Sequence, residues 1–313
     1  MAYSLSIPLI LRSTDTVNGS TTTPVPSNST DYVMCCRLTG ATANAFWTAL
    51  VDKTNFSDAA IFYNGTQIDV FPDKYTFGAW SATNICLWFK LQATLYAQHD
   101  DTTSYVLETG NASPTVMNNT ANIYPFVDTF PGSSLDLTKW TDANSIASVS
   151  GGVLTLTRAG GGAGIYAKTN FGANYIASYA ITPTGVASGS GVIAVGFEDS
   201  NSNLSQIAMA NGTAAIWFQQ HLQAGTDVTY NGAGPLTSSA SLWSVARDTT
   251  GLMYAGVNDV QSQPINSGNA KSTIAIPPFI LVGGTSGTAP TCHFVTVRPW
   301  IKNEPRVIAK IQG

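Results

Sequence analysis

FVDTFPGSSLDLTKW, residues 126–140, sets Asp128, Asp136 and Lys139 close together in a chain of 313 residues of which only 10% are charged. A catalytic or metal-binding cluster is one reading of that concentration, and turn chemistry at the edge of a β-sandwich is the other. Asp residues beside a Pro-Gly pair accept backbone hydrogen bonds and fix turns, which suits Asp128 and Asp136 on either side of Pro131-Gly132. Leu135 and Trp140 then point inward as anchors. Lys139 is expected to pair with a neighbouring carboxylate at the surface, a contact worth little by itself.

Outward from this stretch, apolar residues recur at period two, and Gly, Asn, Asp, Ser and Thr fill the gaps. In NICLWFKLQ, Ile85, Leu87, Phe89 and Leu91 share one face, with Trp88 and Lys90 on the other. The pattern returns in SGGVLTLTR, NYIASYAIT, GVIAVGFED, TAAIWFQQ, SLWSVARD, GLMYAGVND, FILVGG and HFVTVRPW, separated by turn signals such as Asn211-Gly212 and Asn231-Gly232. Many short strands divided this way predict an all-β protein built from sandwiches. The helical candidates are residues 41–52 and the Leu135–Trp140 turn. Composition shifts across ETGNASPTVMNNTANIYPF, which places a domain boundary near 115–125 and gives two β-sandwich domains, 1–120 and 121–313. The Gly-rich SGGVLTLTRAGGGAGIY reads as a loop of the second domain, and IKNEPRVIAKIQG as a short tail that packs on a neighbouring subunit or frays. The amino terminus, interrupted by Pro8 and lacking a basic region, reads as an edge strand rather than a secretion signal. No later run has the length of a membrane helix.

Fourteen basic residues stand against 18 acidic ones, for a formal net charge of -4. With no basic run, the phosphate-neutralising surface of a nucleic-acid binder is absent. Four cysteines occur without CxxC spacing, so neither a zinc site nor a redox motif is supported. Cys35 and Cys36 are neighbours in a strand and face opposite sides. A bridge from either to Cys86 is open, and Cys292 reads as a buried thiol.

These residues resemble known domains. FVDTFPGSSLDLTKW followed by GGVLTLT is similar to the opening of concanavalin A-like, laminin-G-like jelly rolls, and FVTVRPWIKNEP resembles their closing strand. IAVGFEDSNSN and WSVARDTTGLMYAGVND look like the middle hairpins of the same domains. In the first half, FSDAAIFYNGTQID, ICLWFKL and DTTSYVLETGNAS resemble a β-rich domain of unknown function that commonly precedes such a jelly roll in archaeal, bacterial and phage surface proteins. The pattern is departed from at Glu108, where an aromatic is usual, and at His293, where an acidic residue often stands. The resemblance implies a concanavalin A-like jelly roll for residues 121–313.

Jelly rolls of this kind include glycoside hydrolases, which need two carboxyl groups at a set separation. In laminarinase-type enzymes both come from one Glu-x-Asp-x-x-Glu strand, a pattern absent here: the three glutamates, Glu108, Glu198 and Glu304, lie far apart. Asp199, Asn201 and Asn203 have the spacing of a calcium loop but lack its Gly and Glu, with Leu204 and Ala210 in those places, so a polar hairpin loop is the better reading. His99, His221 and His293 fall in no metal spacing. Trp243 reads as core because Val245 shares its face. Trp217 and Tyr230 are the candidate carbohydrate-binding residues, flat rings on which a sugar can stack, with core packing as the alternative. No cofactor or metal is expected.

The expected function is non-enzymatic: a virion structural or surface protein of fibre, spike or decoration type, with a lectin-like module that contacts other virion proteins or a host-surface glycan. It is expected at the virion surface, without membrane insertion, as a closed homo-oligomer, a trimer first. The alternatives are an exported cell-surface adhesin and a polysaccharide-degrading tail-spike glycosidase.

Overall fold

A computed structural model describes residues 3–12, 32–75, 79–95, 100–157, 162–183, 191–198, 204–210, 216–221, 228–232, 241–257, 260–261, 274–283, 289–300 and 306–309. Side chains at 209–210, 216–221, 228–232, 260–261 and 306 lie outside this description. The chain forms two compact units, unit 1 from Met1–Pro125 and Ile301–Gly313, and unit 2 from Phe126–Trp300. It is all-β, with unit 2 a jelly-roll β-sandwich.

In chain order, unit 1 begins with β1 (Leu5–Arg12), β2 (Val33–Thr39), α1 (Gly40–Ala49), β3 (Ala60–Tyr63), β4 (Thr66–Ile68), β5 (Val70–Pro72), β6 (Asn84–Lys90), β7 (Asp101–Thr109) and α2 (Thr120–Ile123). Unit 2 holds β8 (Phe126–Asp128), β9 (Trp140–Thr141), β10 (Ala147–Ser150), β11 (Val153–Leu156), β12 (Gly162–Ala167), β13 (Tyr175–Thr182), β14 (Val192–Glu198) and β15 (Leu204–Ala210). It continues with β16 (Ile216–His221), β17 (Val228–Gly232), β18 (Ser241–Arg247), β19 (Met253–Val257), β20 (Val260–Gln261), β21 (Pro278–Gly283) and β22 (Thr291–Pro299). The chain then returns to unit 1 as β23 (Arg306–Ala309).

Unit 1 has a five-stranded sheet ordered β23–β1–β7–β3–β4 and a three-stranded sheet ordered β2–β6–β5. Alternation decides what each strand buries. Ile7, Leu9 and Leu11 of β1 share a core with Met34, Cys36 and Leu38 of β2 and with Ile85, Leu87 and Phe89 of β6. Two expectations are corrected here. β1 is not an edge strand: β23 covers it from Leu9 to Arg12. That register stops short of Pro8, so the missing proline N–H breaks no rung between β1 and β23. The carboxy-terminal residues are therefore not a tail of the second domain but a strand of the first. The helix read over 41–52 ends at Ala49, because the N–H groups of Val51 and Asp52 are taken by the carboxylate of Asp58.

Unit 2 packs a sheet ordered β10–β11–β22–β13–β18–β19–β20, to which β8 adds through β22, against a seven-stranded sheet ordered β17–β16–β15–β14–β21–β12–β9. Leu154, Tyr179, Trp243 and Val295 from the first interleave with Ile165, Val195, Ile207 and Ile280 from the second. Trp243 is thus core, as its face partner Val245 implies. The Gly-rich run read as a loop contains β11 and most of β12.

Residues 126–140 carry the chain from one sheet to the other, from β8 to the edge strand β9. Asp128 is the pivot. Its Oδ1 accepts from the Phe130 N–H at 2.7 Å and its Oδ2 from the Trp140 indole N–H at 2.7 Å. Phe130 sits at φ 51°, a costly backbone for a bulky residue. The hydrogen bond to Asp128 holds it there while its ring and that of Phe126 flank fully buried Trp140. Asp136 fixes the next turn, accepting from Thr138 N and Oγ1. Lys139 does not take the carboxylate contact expected of it: its Nζ donates to the Val127 carbonyl at 2.9 Å. Turn chemistry accounts for the whole cluster. At its far side Phe126 pairs with Val297 of β22, so the entry and exit of unit 2 are neighbours in one sheet.

Candidate functional site

The inner face of the seven-stranded sheet is committed to the core, which leaves its outer face as the surface with chemical potential. Register sets the rows. Tyr166 of β12 is opposite Phe279 of β21, which is opposite Gly196 of β14, which is opposite Gln206 of β15. In the adjacent row Gly164, Leu281, Ala194 and Ala208 follow one another across the same four strands. On either side of Phe279 and Leu281 the face is built from Gly164, Ala194, Gly196 and Ala208, all small and all buried.

Two of these glycines are required by geometry. A Cβ on Gly196, at φ 150°, would lie 2.0 Å from the Ser205 carbonyl oxygen. The Gly196 carbonyl is itself held from below by the Tyr179 hydroxyl, which donates to it at 2.5 Å across the sandwich. A Cβ on Gly164 would meet the Ile280 carbonyl at 3.0 Å and the Tyr166 ring at 3.3 Å. Gly164 thus gives the Tyr166 ring room to lie over the sheet, stacked on Phe279 with centroids 5.9 Å apart and planes 17° from parallel.

Glu198 stands at the end of β14, two residues beyond Gly196 on the same face. Its Oε2 accepts from the Tyr166 hydroxyl at 3.2 Å. Burial, reinforced by the charge of Glu198, pushes the Tyr166 phenol up to about 12. The phenol therefore stays a hydrogen-bond donor at neutral pH. An aromatic ring, a carboxylate and a floor of small side chains meet on one surface.

Of the two candidates read from sequence, Trp217 lies in β16 opposite Ala208, in the row of small residues, whereas Tyr230 of β17 is opposite Phe218 and falls in the alternate row. The two positions do not share a face; their side chains lie outside the described residues. Asp199, Asn201, Asn203, His99 and Glu304 also lie outside them. His293 is in β22, its Nε2 3.5 Å from Thr182 Oγ1. Among the described residues no group of three His, Cys, Asp or Glu side chains is placed to hold a metal, and no helix is long and apolar enough to cross a membrane. Tyr166 was passed over in the sequence, and Glu198 was set aside as one of three scattered glutamates. The available signal was Ala194-x-Gly196-x-Glu198, in which every outward position is tiny until the carboxylate.

Unit 1 has a cavity of about 420 Å³ bordered by Gln67, Asp69, Gln92 and Asn122. Each of its amides already donates within the protein: Gln67 to Thr115 O, Gln92 to Lys90 O and Asn122 to Asp69. The outer face of the seven-stranded sheet is the stronger candidate.

No family model and no curated protein matches the chain. Among solved structures, the chain is similar to a glycosyl hydrolase family 16 protein from Mycobacterium smegmatis, at 14% identity and a TM-score of 0.45 over 56% of this chain and 99% of that one. A glycosyl hydrolase family protein from Mycobacterium fortuitum matches at 15% identity and 0.44, over 56% and 99%. A β-1,3-1,4-glucanase (lichenase) derived from a mouse hindgut metagenome matches at 11% identity and 0.46, over 56% and 98%. The expectation of a non-enzymatic chain is corrected by these findings, since the solved structures it is similar to include glycosyl hydrolases; the missing Glu-x-Asp-x-x-Glu run does not decide the matter.

Proposed function

We propose that unit 2 is a glycan-binding jelly roll whose site is the outer face of the seven-stranded sheet. One observation carries the reading: the Tyr166 ring, backed by Phe279, lies beside a floor of Gly164, Ala194, Gly196 and Ala208 and hydrogen-bonds to Glu198. A sugar presents a flat C–H face and a rim of hydroxyls. A supported aromatic ring suits the first, and a carboxylate, which accepts through both oxygens, suits the second. The small residues are themselves buried, so the half-buried Tyr166 and Glu198 are the groups a sugar would contact.

Affinity electrophoresis in gels containing soluble glucans, mixed-linkage β-1,3-1,4-glucan first, tests this reading. The intact chain is retarded, and Tyr166→Ala weakens retention tenfold or more, about 1.4 kcal/mol. Unchanged retention in that variant would remove Tyr166 from the site and the proposal with it.

Glycoside hydrolysis is the second reading, favoured by the placement of Glu198. The common route needs two carboxyl groups, and among the described residues of this face Glu198 supplies one. Release of reducing ends by the intact chain, lost in Glu198→Gln, is the expected signature. Release that survives the substitution assigns cleavage to another group. A virion-surface location, contact with other virion proteins and a trimeric assembly are proposed on composition and resemblance. Light scattering of the intact chain and antibody labelling of particles are their tests.

A further inference from the structure

Cys35 and Cys86 lie on the outward face of the three-stranded sheet of unit 1, away from the core that holds Cys36. In register Cys35 is opposite Trp88 and Cys86 is opposite Arg37, so the two cysteines are diagonal neighbours on adjacent strands. Their sulfur atoms are 2.8 Å apart. Two sulfurs that merely touch sit farther apart than this, and the bonded separation is about 2.05 Å. The sequence left open which of the adjacent cysteines faces Cys86. Alternation settles it, because Cys36 is opposite Leu87 and fully buried with the core.

We propose that Cys35 and Cys86 are a disulfide-forming pair, oxidised by low-molecular-weight disulfides and reopened by thiols, which staples β2 to β6. Cys35 is the accessible member, partly exposed where Cys86 is buried. The Cys35 thiolate attacks one sulfur of the small disulfide, forming a mixed disulfide and releasing one small thiolate. Cys86 then gives up its proton and attacks the Cys35 sulfur, releasing the second. The two protein thiols are oxidised, the small disulfide is reduced to two thiols, and two protons pass to the leaving groups. The order follows from access and from proton affinity, since burial holds the Cys86 thiol well above its ordinary value.

Geometry favours the closed form. β2 and β6 are already paired along seven residues, so the bond joins strands that are in place and closes a loop between positions 51 apart in the chain. A crosslink of that span restricts the unfolded chain. This inference concerns unit 1 and is independent of the glycan-binding reading.

The test is made on the full-length reduced chain. It is incubated with oxidised glutathione, alkylated and digested without reduction, and its peptides are mapped by mass spectrometry. One cross-linked pair joining Cys35 to Cys86 is expected, lighter by two hydrogens than the separate peptides. The midpoint of thermal unfolding should rise by about 5 °C or more and fall back on adding dithiothreitol. Cys35→Ser, checked for native circular dichroism, should lose both responses. Three results would each overturn the proposal: both cysteines still open to alkylation, a glutathione adduct that persists on Cys35, or Cys86 joined to a different cysteine. The peptide map needs no variant, so it decides the matter even if the substitution unfolds the chain.

Discussion

The two units contain the same hydrogen-bonding device in two settings. Asp73 of unit 1 accepts the N–H of Tyr75, two residues on, at 2.8 Å, and the indole N–H of Trp88 at 2.9 Å. Asp128 of unit 2 accepts the N–H of Phe130, also two residues on, and the indole N–H of Trp140. Both aspartates are buried, each only 2% exposed. What differs is the tryptophan. Trp140 is sealed in the sandwich core among Phe126 and Phe130, whereas Trp88 lies on an outward face and is partly exposed. Water can replace a lost partner at Trp88 and cannot reach Trp140, so one geometry should carry two different energies.

Alanine substitution of the two aspartates is the most forceful way to break this comparison. Asp128→Ala leaves a buried indole N–H without its partner and releases Phe130 from its strained backbone, for an expected loss of about 4 kcal/mol. Asp73→Ala should cost about 2 kcal/mol, part of the deficit being met by solvent. Urea unfolding followed separately for each unit would measure both, and equal losses would show that setting does not matter.

The next contrast removes the donors. Trp140→Phe should cost about 3 kcal/mol, through an unfilled volume and an unpaired Asp128 oxygen. Trp88→Phe should cost about 1 kcal/mol in the same measurement.

A third aspartate sharpens the comparison through pH. Asp58 is buried and accepts from Val51 N, Asp52 N, Gly110 N and Thr109 Oγ1. Burial pushes its carboxyl up, but the hydrogen bonds from Val51, Asp52, Gly110 and Thr109 outweigh it and hold the group below the usual 3.8. A carboxyl lowered on folding adds stability above its unfolded value, and that stability is lost as pH falls through the folded value. The unfolding midpoint of unit 1 should therefore drop as pH is taken below about 4, and Asp58→Asn should flatten that descent. A variant whose acid limb is as steep as the parent's would count against the assignment.

The smallest effect is spectroscopic and belongs to the outer face of unit 2. The Tyr166 phenol should ionise near 12, read as the ultraviolet absorbance lost in Tyr166→Phe. Replacing Glu198 by Gln should bring it down toward the ordinary 10, because the negative charge beside it is gone while burial, the largest cause, remains. The sign is that of a group raised on folding: its contribution to stability is complete below pH 10 and fades as pH climbs through 12.

Much of this architecture was legible in the sequence because period-two alternation is a local property. Ile85, Leu87 and Phe89 are buried as their spacing requires, and Leu135 and Trp140 are inward anchors. Asp128 could be read as a turn residue since its first acceptor bond spans two positions, but its bond to Trp140 spans 12 and left no local mark. Strand order was illegible for a related reason. Nothing within residues 306–309 announces a partner at residues 9–12, and an isolated apolar segment reads equally as tail or as strand. The Tyr166–Glu198 pair was hidden likewise, its members 32 positions apart and joined only through β21 lying between their strands.

The pairing of β8 with β22 and of β1 with β23 together bears on the order of assembly during synthesis. Unit 2 is completed by the ribosome before the last strand of unit 1 appears, and Phe126 and Val297 then stand side by side. Once folded, it acts as a short clasp in place of a long floppy loop, which lowers the entropy lost when β23 finds β1. Until that moment Leu9 to Arg12 present an open hydrogen-bonding rim, on which another chain could pair.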